Sequence, residues 1–290
     1  MSPDRRRLLA LGAAFAASPA WAEAPIAALS AYERATGGRI GVFARNLANG
    51  RSIAWRADER FIMCSTFKAS LAGCLLRQVE TGKAALDEPL RFGTADLLDY
   101  APVARKVLAK AGGATAGLSI EAACRGAVEW SDNTCANLLL ARIGGPGALT
   151  AFWRAIGDQV SRLDRIEPDL NRSAPGDLRD TTTPRAMADT LRRLVLGDVL
   201  GPASSARLTQ WMVDCKTGAK RLRSGLPGGW RVGDKTGNNG GDAVSDIAVA
   251  WPARGGPVVI CAYTQGGRPK PPQIEAVFAG VGQAVGERLA

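Results

Sequence analysis

Ser65-Thr66-Phe67-Lys68 sets a hydroxyl and an amine three residues apart. On a helix that spacing puts both groups on one face. A lysine in neutral or proton-sharing form can take the serine's proton, the first step of nucleophilic catalysis. A serine at a helix N-terminus also gains backbone N–H groups for a developing oxyanion. The chain has no histidine. That removes the Ser–His–Asp triad, the Cys–His pair and the HExxH zinc site, each of which needs an imidazole. Any general base must therefore be Lys, Glu, Asp or Tyr.

Two further groupings could share a site with that pair. Ser131-Asp132-Asn133 follows Trp130 and opens an apolar helical run over 134–143. Its ordinary reading is a helix N-cap. Read as chemistry, the second serine could pass a proton and the Asn amide could hold an amide-bearing substrate. Lys-Thr-Gly occurs twice. Lys216-Thr217-Gly218 ends a helical segment and reads as a terminal Lys with a Gly stop. Lys235-Thr236-Gly237 ends a strand-like run, and further strands follow it. On a strand edge, Lys and Thr would point at a bound carboxylate, and Gly237 would let a ligand approach the backbone. The second copy is taken as functional and the first as a decoy.

The elements that position these residues fall into a pattern of their own. After a helix over 24–36 come strand-like runs at 39–44 and 52–55, separated by the hairpin signal Asn49-Gly50. From Ser65 to about Cys215 the apolar spacing is helical, punctuated by Gly112-Gly113, Gly144-Gly145 and the 168–175 stretch. Strands return at 230–237, 245–251 and 258–264, and a helix over 273–289 closes the chain. The β-segments at the two ends must pair across the whole chain. The expected fold is α/β of the α+β type: a five-stranded antiparallel sheet flanked by helices, plus an all-helical lobe. The α/β lobe takes 23–60 and 216–290, the helical lobe 61–215, and the site lies in the cleft between them.

The N-terminus reads as a processing signal. Asp4-Arg5-Arg6-Arg7-Leu8-Leu9, an apolar run to Ala17 and the small-x-small site Ala20-Trp21-Ala22 make residues 1–22 a signal peptide. The adjacent arginines suit the twin-arginine type, with an ordinary Sec signal as the alternative. The mature chain of 23–290 is then a single periplasmic domain. Its formal charge of +10 is spread along the chain, with 29 Arg and 8 Lys and no nucleic-acid-binding motif. Six cysteines without a CxxC pair read as buried thiols or one bridge rather than a metal site. Neither cofactor nor metal is expected, nor a nucleic-acid partner, nor stable membrane association, and the chain is expected to be a monomer.

Ser-x-x-Lys, Ser-Asp-Asn and Lys-Thr-Gly, in this order, resemble the signature of serine β-lactamases and penicillin-binding proteins. Arg165-Ile166-Glu167-Pro168-Asp169-Leu170-Asn171 is similar to the Ω-loop of class A β-lactamases, and Asp180-Thr181-Thr182-Thr183-Pro184 to the segment that closes it. This class A resemblance covers about 24–289. It implies hydrolysis of penicillin- and cephalosporin-type β-lactams through an acyl-enzyme on Ser65. Lys68, Glu167 through a water, or both would activate that serine. The resemblance also implies that Ser131 relays a proton to the departing nitrogen and that Glu167 and Asn171 hold the deacylating water. Backbone N–H groups of Ser65 and Asn238 would form the oxyanion hole. Lys235, Thr236, Gly237 and Arg221 would bind the substrate carboxylate end, Asn133 the acylamide, and Tyr100 would wall the cleft. Arg165 and Asp180 would pin the neck of the Ω-loop, and the Glu167–Pro168 bond is a candidate for the cis form.

Departures from the family pattern also matter. Many members place an arginine on the strand after Lys-Thr-Gly, where this chain has Val244-Ser245-Asp246. Arg221 matches a substitute position; neighbouring Arg223 could be confused with it, and Arg223→Ala is expected to be nearly silent. Cys64 resembles a cysteine of the carbapenemase subgroup, but its partner position holds Asn239. Cys124 resembles another family cysteine whose partner position holds Ala72, and Cys74 lies about 200° round the helix from it. A D,D-peptidase or penicillin-sensing domain of the same superfamily is the alternative function. Glu167 and Asn171 argue against both.

Overall fold

The computed structural model describes residues 26–172, 174 and 176–290. The export-signal reading of 1–22 lies outside these residues. Helix α1, Ala27–Thr36, ends at Gly37, whose left-handed φ of 70° lets its N–H return to Glu33 O at 2.9 Å. The chain then enters β1, Arg39–Asn46, and returns as β2, Ser52–Trp55, with Val42 opposite Trp55. Gly50 in the connection has φ 74°, a conformation that glycine adopts without a Cβ penalty.

The remaining strands of this sheet come from the far end of the sequence: β3 Arg231–Asn238, β4 Val244–Trp251 and β5 Val258–Gln265. Their order is β2-β1-β5-β4-β3, antiparallel throughout. Pairing of Arg39 with Gln265 and Asn46 with Val258 joins the two ends of the chain. The five strands thus lie at or within one residue or two of the expected spans.

Alternation along the strands explains why both faces are covered. Val258, Ile260 and Ala262 join a core with Leu29 of α1 and Val277, Phe278 and Val281 of the closing helix Pro271–Leu289. Val259, Cys261 and Tyr263, one residue out of phase, join the larger core of the helical region. Helix α2, Phe67–Glu80, runs through the middle of that region, and every residue from Phe67 to Leu76 is buried. Truncating one of its fully buried leucines, such as Leu71→Ala, costs about 2–5 kcal/mol in cores of this kind.

The helical lobe also holds short strands, which corrects the all-helical expectation for that part of the chain. Pro89–Gly93 pairs with Thr115–Ser119, and Phe61–Ile62 with Thr181–Thr182. Segments of two to five residues are too short to establish a period of two against the surrounding helical spacing. Gly112-Gly113 marks the transition: Gly112, at φ 68°, stops helix Pro102–Ala111 before the chain becomes extended. Among the described residues no helix is long and apolar enough to cross a membrane.

Candidate active site

Ser65 sits in a 3₁₀ turn, Cys64–Thr66, that runs directly into α2. The turn starts from Cys64 at φ 45°, a strained value for a residue with a Cβ. Lys68, on the first turn of α2, is fully buried. Its Nζ donates to Ser131 O at 2.8 Å and to Asn133 Oδ1 at 2.6 Å, and lies 3.0 Å from Glu167 Oε1. The same Glu167 Oε1 accepts from Ser65 Oγ at 3.2 Å. One carboxylate oxygen therefore meets the nucleophile's proton and the lysine's charge together. The Ser65 hydroxyl points to Glu167 rather than to Lys68.

Asp132 reconciles the two readings of Ser131-Asp132-Asn133. It caps helix α3, Asn133–Ile143, through Cys135 N at 2.8 Å. Its other oxygen accepts from Val103 N at 2.8 Å and Ala104 N at 3.0 Å, at the start of helix Pro102–Ala111. A carboxylate shared between two helix N-termini suits both dipoles. The double cap fixes its neighbours: Ser131, at φ 60°, accepts on Oγ from Lys235 Nζ at 3.0 Å, while Asn133 reaches Lys68. Tyr100 adjoins them, its carbonyl accepting from Asn133 N at 2.9 Å and its side chain half exposed. Trp130 and Ile166, next to Ser131 and Glu167, are also exposed.

Glu167 is held from several sides. The Glu167–Pro168 bond is cis. Asn171, at the end of the short turn Asp169–Asn171, donates Nδ2 to Glu167 Oε2 at 2.5 Å. At the neck, Arg165 Nε meets Asp180 Oδ2 at 2.6 Å. Asp180 Oδ1 also accepts from Asp164 N and Arg165 N, at 2.7 and 3.0 Å. Asn137 was missed by the sequence reading. Its amide donates to Glu167 O at 2.9 Å and accepts from Glu167 N at 3.0 Å. The available signal was position: Asn137 lies one helical turn beyond Asn133, a polar side chain in an apolar run on the same face.

On the sheet side, Lys235 is fully buried between Ser131 Oγ and Thr236 O. Burial lowers its ammonium to about 8, and the charge of Lys68 pushes the same way. Gly237 has a second reason beside the expected one. A Cβ there would fall 2.8 Å from Met63 O and 2.9 Å from the Cβ of Cys64. The missing side chain lets β3 abut the turn that carries Ser65. Ser245 reinforces that contact by donating to Met63 O at 3.1 Å. Asn238, exposed, ends β3 and turns its own side chain back to Gly240 N.

The first Lys-Thr-Gly copy is not a decoy in space. Thr217 Oγ1 lies 2.6 Å from Thr236 Oγ1, and Lys216 N donates to Glu129 O. A Cβ on Gly218 would fall 1.7 Å from Asp234 Oδ2, so only glycine fits. The copy braces the second one from outside the sheet edge. Arg223 likewise departs from expectation. It pairs with the fully buried Asp234 and donates to Met212 O and Val213 O, so it is a structural residue whose loss would not be silent for the fold. Arg221 takes the other direction, donating Nη1 to Ser245 O at 3.2 Å and Gly237 O at 3.5 Å, with its guanidinium over Phe278. It lines, with Asn238, a cavity of about 630 Å³. All six cysteines are free thiols.

A buried hydroxyl sharing an oxygen of a carboxylate with a lysine, faced by a second serine that is paired with a sheet-edge lysine, makes a serine acyl-transfer site without an imidazole. The chain belongs to the beta-lactamase enzyme family, whose model matches residues 23–289. Beta-lactamase L2 of Stenotrophomonas maltophilia is 49% identical to it over 286 residues, which cover 97% of this chain and 92% of that protein. Beta-lactamase CTX-M-25 of Escherichia coli is 44% identical over 257 residues, 89% of this chain and 86% of that protein. Among solved structures, an ancestral (GNCA) class A β-lactamase matches at TM-score 0.84 and 52% identity, covering 89% of this chain and 97% of the other. A β-lactamase from Xanthomonas campestris pv. campestris matches at TM-score 0.86 and 43% identity, covering 91% and 97%.

Proposed function

We propose that the protein hydrolyses the β-lactam amide of penicillin- and cephalosporin-type antibiotics through an acyl-enzyme on Ser65. The observation that carries this reading is Glu167 Oε1, at hydrogen-bond distance from Ser65 Oγ and in ion-pair contact with Lys68. In acylation Ser65 Oγ bonds to the ring carbonyl carbon and its proton passes into the Glu167–Lys68 pair. Backbone N–H groups of Ser65 and Asn238 hold the oxyanion, an arrangement in which one lost donor costs roughly 10²–10³ in rate. The C–N bond then breaks, and the nitrogen takes a proton from Ser131, which Lys235 contacts and which is reprotonated by the proton that the Glu167–Lys68 pair took from Ser65. In deacylation a water held by Glu167 and Asn171 attacks the ester. Its proton goes to Glu167, and Ser65 leaves with a proton returned from the pair. Lys235, Thr236 and Arg221 take the substrate carboxylate, Asn133 the acylamide, and Tyr100 walls the cleft.

The protein works as a periplasmic monomer of one domain, 23–290, after removal of residues 1–22. The match to the family model beginning at residue 23, one residue past Ala22, supports that boundary. Purified protein is expected to turn over a chromogenic cephalosporin repeatedly. A single stoichiometric burst followed by a stable adduct would instead assign it to the penicillin-sensing or D,D-peptidase branches.

A further inference from the structure

Asp234, on the edge strand β3, and Asp246, on the adjoining β4, are both fully buried. Asp246 stands opposite Thr236 and Asp234 lies two residues before Thr236, so both carboxyls project from one face. Each keeps an oxygen without a hydrogen-bond partner, Oδ2 of Asp234 and Oδ1 of Asp246. Their remaining oxygens differ. Asp234 Oδ1 pairs with Arg223, whereas Asp246 Oδ2 accepts the backbone N–H of Leu222 at 3.1 Å. Arg221, one residue before Leu222, gives its Nη1 to the carbonyls of Ser245 and Gly237. A buried carboxylate without an ion-pair partner takes a proton in preference to carrying its charge.

We propose that Asp246 is a positioning residue that acts as a neutral carboxyl, clamping residues 221–222 so that Arg221 stays at the Gly237 end of β3. The proposal rests on the reading above that Arg221 binds the substrate carboxylate. Two adjacent strand residues make the clamp: Ser245 O takes the guanidinium and Asp246 Oδ2 takes the next backbone N–H. Phe278 of the closing helix bounds the guanidinium on its other side, 5.4 Å from the ring centre. The clamp occupies the stretch 244–246, where the chain lacks the strand arginine that many family members carry.

The groups around Asp246 agree with a proton residing there. Burial pushes its carboxyl well above the usual carboxylate range and the charge of Asp234 adds to the rise, while Arg221, the Leu222 backbone N–H and Arg223 oppose it without cancelling it. Burial raises Asp234 as well, but Arg223 pulls it back by charge and hydrogen bond, so the proton belongs on Asp246. Lys235 on β3, and Cys261 and Tyr263 on β5, complete the titratable groups that feel it.

Two substitutions separate the clamp from a buried charge. Asp246→Asn keeps an acceptor for Leu222 N without charge, and Asp246→Ala removes the acceptor. With benzylpenicillin, Asp246→Asn is expected to stay within about twofold of the unsubstituted enzyme in kcat/KM, and Asp246→Ala to raise KM about tenfold or more with kcat nearly kept. A penicillin methyl ester, which lacks the carboxylate, is expected to lose nothing in either variant. Infrared difference spectra at neutral pH are expected to show a protonated-carboxyl band that Asp246→Asn abolishes. An Asn variant as impaired as the Ala variant, a normal KM in Asp246→Ala, or no such band would each overturn the proposal. The infrared result stands even if Asp246→Ala fails to fold. It also stands if no β-lactam is turned over, an outcome that would reject the function and not the protonation.

Discussion

Asn137 grips Glu167 by both ends of its own backbone, donating to Glu167 O at 2.9 Å and accepting from Glu167 N at 3.0 Å. A single amide thus takes both backbone polar groups of a residue in a loop, where no ladder would satisfy them. Asn137 and Asn133 lie on the same helix, so the lysine's partner and the carboxylate's anchor move as one body. The position of Glu167 relative to Lys68 is set by α3 as much as by the Ω-loop.

Removing the Glu167 carboxylate should slow deacylation more than acylation, because Lys68 remains available to the Ser65 hydroxyl. Intact-protein mass spectrometry of Glu167→Ala with benzylpenicillin is expected to show one penicillin mass added at Ser65. Complete turnover without an adduct would remove Glu167 from the deacylation step.

The lowered ammonium of Lys235 fixes the sign of a pH effect. In the free enzyme Lys235 loses its proton as pH rises through about 8, and with it the charge that attracts the substrate carboxylate. The profile of kcat/KM, which reports the free enzyme, should fall above about pH 8. Bound carboxylate stabilises the ammonium, so kcat should hold to higher pH. Stability moves the other way: between about 8 and the ordinary lysine value of 10.5 the unfolded chain binds the extra proton, and the fold gains as pH rises. A kcat/KM profile flat to pH 10 would exclude the role.

Arg221 and Arg223 are two residues apart and should fail differently. Arg221→Ala removes a charged donor worth roughly 1.5–3 kcal/mol, so kcat/KM should drop about 10- to 100-fold. Arg223→Ala strands the Asp234 carboxyl, and breaking a buried pair costs roughly 3–5 kcal/mol, read as a large fall in Tm. Equal, small effects from both would show that the substrate carboxylate is bound elsewhere.

The neck of the Ω-loop offers a stability test. Asp180 is fully buried and the three hydrogen bonds of its carboxylate all reach residues 164–165. Asp180→Asn weakens charged hydrogen bonds, at roughly 1.5–3 kcal/mol. The loosened loop should trade penicillin turnover for bulkier cephalosporins. A double-mutant cycle with Arg165→Ala that gives no coupling in Tm or in turnover would reject the pairing.

What the sequence made legible is chemistry that depends on near neighbours. Ser65 with Lys68, Ser131 with Asn133, and Lys235 with Thr236 each sit within three residues of one another, and strand-like runs of four to eight residues marked the five sheet strands. What stayed hidden depends on partners far along the chain. Asn137 acts on a residue thirty positions away, Thr217 on Thr236, and Arg223 on Asp234, none of which a local pattern can pair. Lys216-Thr217-Gly218 was set aside because its own context, a helix end, explained it fully. Its contacts with Thr236 and Asp234 arise only when the sheet edge folds against it.

The pairing of β1 with β5 has a consequence for how the molecule comes into being. Residues 39–46 find their partners at 258–265, so the middle of the sheet closes only when nearly the whole chain is present. Contacts of such long sequence separation are formed late and slowly, after the entropy of closing the intervening loop has been met. A chain cut before residue 258 keeps two separate hairpins, one leading into Ser65 and the other carrying Lys235, with no strand to bring them together. Activity in this protein therefore depends on the last strand to be synthesised as much as on the nucleophile, and a chain cut before residue 258 is expected to be inactive.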